Sequence, residues 1–419
     1  EPGGMTIEDT IYYAKRLEEL GCAAIDVSGG DHHQMIHQVT PMQLSKGHNV
    51  WAAEAIKKEV SIPVFATGSI TLPEYAEEIL AEGKGDFISM GRPLLADPYW
   101  AKKALEGHPE DISPCIRCNE GCLERTFYCY KAVSCALNPQ ICTMTPTLGF
   151  EDALAIRPTA TPKKVAVVGG GPAGMKAAAV AFDRGHQVTL FEKRKLGGFL
   201  HEASAPEFKA DIRNALKYLT VQVEKRDIKV VEKEATAADL EGFDAVITAT
   251  GAAGVRLPVP GGDRTNVQLA VDALAKDCAG ISGNIVVVGG GLIGTETAVQ
   301  LSFSKENHVT MVEMLPKIMK DCSASDQMVY PEMLKENGVQ VMTSSRVVEI
   351  NDQGVVVEGH GRKTIPADHV LVAIGLAPCR SLAEELKAIG KQVTVVGDCS
   401  KVGKIYDAIH SGYKAGLRV

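Results

Sequence analysis

Two stretches of this chain repeat one pattern, and that pattern limits the fold more than anything else in the sequence. Val165–Val168 is an apolar run that leads into Gly169-Gly170-Gly171-Pro172-Ala173-Gly174, then an alanine-rich helical stretch, then Val188–Phe191 ending at Glu192. Further along, Ile285–Val288 leads into Gly289-Gly290-Gly291-Leu292-Ile293-Gly294, a helix, and Val309–Val312 ending at Glu313. A strand that runs into such a glycine turn and opens a helix is a dinucleotide-binding βαβ unit. Gly169 and Gly289 allow the tight turn. Gly171 and Gly291 let backbone approach a pyrophosphate, and Gly174 and Gly294 let helix and strand pack closely. The helix start then turns its positive end to the phosphates. Glu192 and Glu313 stand where an acid accepts hydrogen bonds from an adenosine ribose. The chain therefore carries a duplicated α/β nucleotide-binding unit. A carboxylate at Glu313 repels a 2′-phosphate, which favours NADH over NADPH, although the nearby Lys317 weakens that preference.

A second signature precedes the first glycine turn. Cys115, Cys118 and Cys122 are closely spaced, and Cys135 follows, with Pro139 soon after. Short spacings let three thiolates converge on one face, and the distant cysteine closes the fourth corner. Zinc bound by four cysteines is the rival reading. The asymmetric three-plus-one spacing favours a [4Fe–4S] cluster, and so do the two redox dinucleotide sites beside it. Cys129 lies inside the loop. The remaining cysteines are scattered and read as buried thiols.

Eleven cysteines without a secretory pattern point to a reducing, cytoplasmic setting, where thiols serve metals. A net charge of −8 with no basic block argues against nucleic acid as a partner. No apolar run reaches the length of a membrane span. A length of 419 residues allows two to four domains, and a homo-oligomer is allowed.

The N-terminal third reads as repeated αβ steps. Helices are predicted over 6–20, with Thr6 as N-cap and Gly21 as stop, near 50–59 and near 73–82. Strands are predicted over 23–27, 63–66 and 86–90. Such steps fit a parallel sheet or part of a barrel; three strands do not close a barrel of eight. Residues 111–145 show little periodicity, and Pro158–Lys163 reads as a polar linker.

Two resemblances sharpen these readings. Phe243–Gly251, Val370–Gly375 and Val393–Asp398 resemble the strand leading out of the FAD domain, the strand returning to it, and the glycine–aspartate signature of flavoprotein disulfide-reductase-like domains. The resemblance implies that the first glycine turn takes FAD, with Gly198, Gly251, Gly397 and Asp398 also at the flavin. It implies that the second turn, in an inserted domain, takes the nicotinamide. Residues 3–9, 66–70 and 89–98 look like the last strands of the flavin barrel of the Old Yellow Enzyme family. The chain is most similar to its long branch of 2,4-dienoyl-CoA reductase, enoate reductases and trimethylamine dehydrogenase. That implies FMN, with Gly68, Ser69, Gly91 and the Arg92 guanidinium at its phosphate. It also implies a substrate-facing histidine in the loop after the sixth barrel strand, His33 first and His32 second. Relative to the family the chain begins after the fifth barrel strand, so the upstream strands and a tyrosine proton donor are expected outside it, and the segment alone is expected to be inactive.

The expected architecture is α/β. It comprises a partial TIM barrel (1–110), an iron–sulfur segment (111–145), an FAD-binding Rossmann-like domain (146–257 and 372–419) and an NAD(H)-binding domain (258–371). The expected activity is reduction of an activated C=C bond in a small unsaturated substrate by an NADH to FAD to [4Fe–4S] to FMN relay. The alternatives are an amine dehydrogenase of the trimethylamine dehydrogenase type and an electron-transfer subunit.

Overall fold

The computed structural model describes residues 3–31, 35–143 and 154–419. The chain divides into two compact units, Glu1–Ile141 and Cys142–Val419.

In the first unit, helix α1 (Ile7–Glu19) starts where Thr6 predicts it. The Thr6 hydroxyl accepts from the Asp9 N–H at 3.3 Å, and the Asp9 carboxylate accepts from the Thr6 N–H at 2.9 Å. This reciprocal capping box satisfies donors that the first helical turn leaves unpaired. Strand β1 (Ile25–Val27), α2 (Val50–Lys57), β2 (Val64–Ala66), α3 (Pro73–Ala81) and β3 (Phe87–Ile88) follow, and α4 (Arg92–Ala96) comes directly after β3. The strands form a parallel sheet in the order β1-β2-β3, with Ile25 opposite Val64 and Phe65 opposite Phe87. They are shorter than their apolar runs. Its core joins Val27, Val64 and Ala66 to Ala53, Ile56 and Ile79 of the helices. The loops after β1, β2 and β3 thus leave the same end of one parallel sheet.

The segment without periodicity holds a π-helix at Glu120–Tyr128. The Glu124 N–H reaches back to the Asn119 carbonyl at 2.8 Å and the Cys129 N–H to the Glu124 carbonyl at 3.0 Å. Bonds of this span widen the helix and are frequent at functional sites.

The second unit contains two five-stranded parallel sheets. The first takes β4 (Lys164–Val168), β5 (Gln187–Glu192), β6 (Lys229–Glu232) and β7 (Ala245–Thr248), with helices α5 (Pro172–Asp183) and α6 (Ala210–Glu224). The second takes β8 (Val267–Leu269), β9 (Asn284–Val288), β10 (His308–Val312) and β11 (Gln340–Met342), with α7 (Leu292–Ser302) and α8 (Ala324–Glu336). An antiparallel sheet of β12 (Arg346–Asn351), β13 (Gly354–Gly359) and β14 (Gly361–Ile365) precedes β15 (His369–Val372), which returns beside β9. The chain then re-enters the first sheet with β16 (Val393–Val395) and ends in α9 (Ile405–Arg418). Strand orders are β16-β7-β4-β5-β6 and β11-β10-β9-β15-β8. In both, the strand that precedes the glycine turn is central, and Val165, Val167, Ile285 and Val287 are fully buried, which explains their unbroken apolar runs.

Side chains tie the two sheets' neighbourhoods together. Phe208, just before α6, packs edge-on against Phe303 and Tyr330. Lys209 beside it pairs with Glu296 of α7.

Candidate functional site

The two glycine turns have nearly the same geometry. Gly169 and Gly289 have φ of 104° and 111°, a region that side-chain-bearing residues rarely adopt. A Cβ on Gly174 would run into the Gly169 carbonyl oxygen, and one on Gly294 into the Gly289 carbonyl oxygen. Gly171 and Gly291 cap α5 and α7 in extended conformation. Glu192 Oε2 accepts from the Gly170 N–H at 2.6 Å, and Glu313 Oε2 accepts from the Gly290 N–H at 2.6 Å. Each acid's other oxygen accepts a second backbone N–H, from Arg194 at 2.8 Å and from Leu315 at 2.7 Å. Each acid therefore fastens its turn through the middle glycine.

The first turn lies under a roof formed by helix α9 and the loop before it. Helix α9 lies on α5 so closely that a Cβ on Gly412 would meet the Ala173 carbonyl oxygen. Gly397, with φ of 63°, brings its backbone against the Ala173 methyl, and its N–H donates to Ser411 Oγ at 3.0 Å. Gly198 backs onto Gly171: a Cβ there would lie 2.9 Å from the Gly171 Cα. Asp398 follows Gly397, and one of its oxygens accepts from the Gly403 N–H at 3.0 Å. Burial, reinforced by Asp407, pushes its carboxyl up against that hydrogen bond. Gly251 ends the segment after β7 with φ of 72°. Ala173, Gly171, Gly174, Gly198 and Gly397 thus form a cradle of backbone and small side chains, shaped for a group that needs close main-chain approach.

In the first unit, Cys115, Cys118, Cys122 and Cys135 line one cavity with Arg92, Asn119, Leu137 and neighbouring backbone. The distant cysteine reaches its partners because Gly121 lacks a side chain. The Ser134 N–H donates to the Gly121 carbonyl at 2.8 Å, and a Cβ on Gly121 would lie 2.6 Å from the Ser134 oxygen. Arg117 and Asn119, on either side of Cys118, both adopt left-handed backbone, with φ of 50° and 57°. The buried Arg117 guanidinium donates to the carbonyls of Pro41, Leu44 and Met42 at 3.0, 2.7 and 3.2 Å, anchoring the loop.

Burial pushes the Cys118 and Cys122 thiols up, and Cys135 up to about 12 with Cys115 adding to it. Thiols held this way ionise when a cationic group accepts them as ligands. The four cavity-lining side chains make an all-thiol donor set, the ligand type that sulfur-ligated iron and zinc sites both use.

The loops after β2 and β3 also meet. Arg92 Nη2 donates to Ser69 Oγ at 2.7 Å, and Ser69 is left-handed with φ of 58°. Gly68 accepts from the Gly47 N–H at 2.7 Å, and Gly91 is the residue before α4. Sequence reasoning named all four of these residues. It missed the partners of Arg92 in the loop after β1 and in the cysteine segment, Thr40 and Asn119. The structure also shows a pair the sequence did not single out: His37 Nδ1 and His48 Nε2 lie 3.0 Å apart. Burial, then His37, pushes the His48 imidazole down. His32 and His33 lie outside the described residues. Among the described residues, no helix is long and apolar enough to cross a membrane.

Comparisons with known proteins agree with this arrangement. Residues 147–217 and 197–406 match the pyridine nucleotide-disulphide oxidoreductase family, and residues 2–111 match the NADH:flavin oxidoreductase / NADH oxidase family. An NADH oxidase of Thermoanaerobacter brockii is 39% identical over 430 aligned residues, covering 100% of this chain and 64% of that protein. A cinnamate reductase of Clostridium sporogenes is 34% identical, covering 100% of this chain and 62% of that protein. The solved structure of a 2-naphthoyl-CoA reductase in complex with 2-naphthoyl-CoA superposes with a TM-score of 0.92 at 32% identity, covering 100% of this chain and 64% of that one. The chain thus spans a little under two thirds of these relatives. It belongs to the Old Yellow Enzyme-related NADH:flavin oxidoreductases, in the branch that carries a pyridine nucleotide-disulphide oxidoreductase module.

Proposed function

We propose that this chain is the electron-entry and cluster-bearing portion of a cytoplasmic NADH-dependent reductase that acts on an activated C=C bond in a small unsaturated substrate. The observation that carries the reading is the combination of two Glu-fastened glycine turns, one of them roofed, with a four-thiol cavity that shares Arg92 with the loop holding Ser69. Two relatives are reductases of cinnamate and of 2-naphthoyl-CoA, which supports a conjugated acid or thioester as the substrate class.

When bound, FAD, FMN and a [4Fe–4S] cluster supply the hydride and single-electron chemistry that side chains lack. The residues of this chain bind and orient. Gly169, Gly171, Ala173 and Gly174 present the first turn and the start of α5 to the FAD pyrophosphate, with Gly198 and Gly251 lining its approach. Asp398 accepts hydrogen bonds from flavin hydroxyls, and Glu192 faces the ribose while holding Gly170. Gly289, Gly291 and Gly294 do the same for the nicotinamide dinucleotide, and the Glu313 carboxylate disfavours a 2′-phosphate. Cys115, Cys118, Cys122 and Cys135 ligate the cluster. Gly68, Ser69, Gly91 and Arg92 hold the FMN phosphate. His33, or failing it His32, donates a hydrogen bond to the substrate carbonyl oxygen, where negative charge gathers as the β-carbon is reduced.

Anaerobic holoenzyme mixed with NADH tests this. The expected result is flavin bleaching, reoxidation on adding cinnamate or an enoyl thioester, and one NADH consumed per double bond reduced. Flavin that stays oxidised with NADH but bleaches with a methylated amine would replace this reading with an amine dehydrogenase.

A further inference from the structure

Arg92 stands between two of the sites described above. It follows Gly91 at the start of α4, and its guanidinium is divided among three segments. Nη2 donates to Ser69 Oγ at 2.7 Å, in the loop after β2. Nη1 donates to Asn119 Oδ1 at 2.6 Å and to the Thr40 carbonyl at 2.9 Å. Asn119 follows Cys118 directly and opens, with left-handed backbone, the π-helix that carries Cys122. Its own amide is fixed from the other side, Nδ2 donating to the Val39 carbonyl at 2.8 Å, which turns Oδ1 to the guanidinium. Asn119 is 1% exposed.

The guanidinium fork has five N–H donors. Both of those on Nη1 are used by Asn119 and Thr40, and one on Nη2 by Ser69. The remaining Nη2–H and Nε–H lie along one edge, the pairing by which arginine grips a phosphate with two parallel bonds. Arg92 also lines the cavity of the four cysteines.

We propose that Arg92 is a positioning residue shared by two cofactors: one edge of its fork anchors the FMN phosphate beside Ser69, while Asn119 clamps the other side against the cysteine loop, so that the same positive charge raises the reduction potential of the cluster. This rests on the assignment of a [4Fe–4S] cluster to the four cysteines and of the FMN phosphate to the Ser69 and Arg92 loops. The physical reason is charge. A cluster gains one negative charge on reduction, and a fixed cation in a poorly solvated site stabilises that form more than the oxidised one. Lysine would keep the charge but lose the two-bond grip.

The test is an EPR-monitored redox titration of anaerobic holoenzyme, with iron, acid-labile sulfide and FMN content measured on the same samples. Arg92→Gln is expected to lower the cluster potential by the equivalent of a tenfold or greater change in the one-electron equilibrium, about 59 mV, and to weaken FMN retention. Ser69→Ala is expected to weaken FMN retention and leave the cluster potential in place, because Ser69 does not line the cysteine cavity and Arg92 keeps its bonds to Asn119 and Thr40. An unchanged cluster potential in Arg92→Gln with full iron overturns the proposal. If Arg92→Gln fails to assemble its cluster, Arg92→Lys decides: a potential near that of the parent with weaker FMN retention supports the shared role, and FMN bound as tightly as in the parent overturns it. A parent protein that holds zinc rather than four irons and labile sulfide overturns the underlying cluster assignment, an outcome that no Arg92 variant can produce.

Discussion

Lys209 and Glu296 form an ion pair of 2.6 Å whose side chains are 7% and 6% exposed. They are far apart in sequence, one just before α6 and the other in the helix that opens at the second glycine turn. Tyr330 donates to the same Glu296 oxygen at 2.9 Å, and Phe208 fills the space against Phe303 and Tyr330. Burial pushes the Glu296 carboxyl up, and Lys209 with the Tyr330 hydroxyl holds it down. The pair is a polar pin through an otherwise apolar contact, and such pins are felt most when half is removed.

Lys209→Met therefore leaves a buried carboxylate without its cation. A loss of about 3–5 kcal/mol is expected, read as a lower midpoint in chemical denaturation. The double variant Lys209→Met with Glu296→Gln should recover most of that loss. Equal stability of the single variant and the parent would show that water reaches the site.

Replacing Cys118 or Cys135 with alanine should abolish stable iron and labile-sulfide content while FAD absorbance remains, because the two cofactors use different residues. Cys129→Ala is the control. Cys129 is exposed and does not line the cavity, so its iron content should match the parent. Full iron in Cys135→Ala would mean that another cysteine closes the site.

Glu313→Gln keeps an acceptor for the Gly290 N–H, gives up the one for the Leu315 N–H, and removes the charge. The preference for NADH over NADPH, measured as a ratio of kcat/KM values, should fall about tenfold, or roughly 1.4 kcal/mol. An unchanged ratio would move the discrimination elsewhere.

His186 gives a pH dependence with a definite sign. It is 3% exposed, and its Nδ1 accepts from the Lys163 N–H at 3.1 Å. Burial first, then Arg184 and Lys163, hold its pKa below the ordinary 6.5. The folded state therefore binds fewer protons than the unfolded one, and its contribution is complete above the ordinary value and is lost as pH falls through the folded value. Tm should drop between about pH 7.5 and about pH 5.5, and His186→Gln should flatten that slope. A slope unchanged in the variant would assign the effect to other groups, such as His48.

Legibility followed the range of the interactions. The glycine turns, their acids and the cap at Thr6 were readable because each depends on residues close in sequence and on backbone geometry that few residue types allow. The four cysteines were readable from spacing, but how Cys135 arrives was not: it takes a π-helix and the bare Gly121 backbone, and neither leaves a periodic trace. Glu192 and Glu313 were read as ribose acceptors, and their bonds to Gly170 and Gly290 are an addition that spacing alone does not reveal. The partners of Arg92 and the Lys209–Glu296 pair escaped because they join residues from distant parts of the chain, where no local pattern records the contact.

The roof over the first glycine turn has an evolutionary reading. If the two nucleotide sites descend from one ancestor, duplication copied the turn, its acid and its flanking strands, and helix α9 packs on the helix that opens at the first turn. A prosthetic group that must stay through thousands of turnovers gains from such a lid of main chain, whereas a co-substrate that must leave each cycle would be trapped by it. Engineers who wish to turn a visiting coenzyme into a resident one should graft the Gly412 face of that helix, and leave the glycine loop alone.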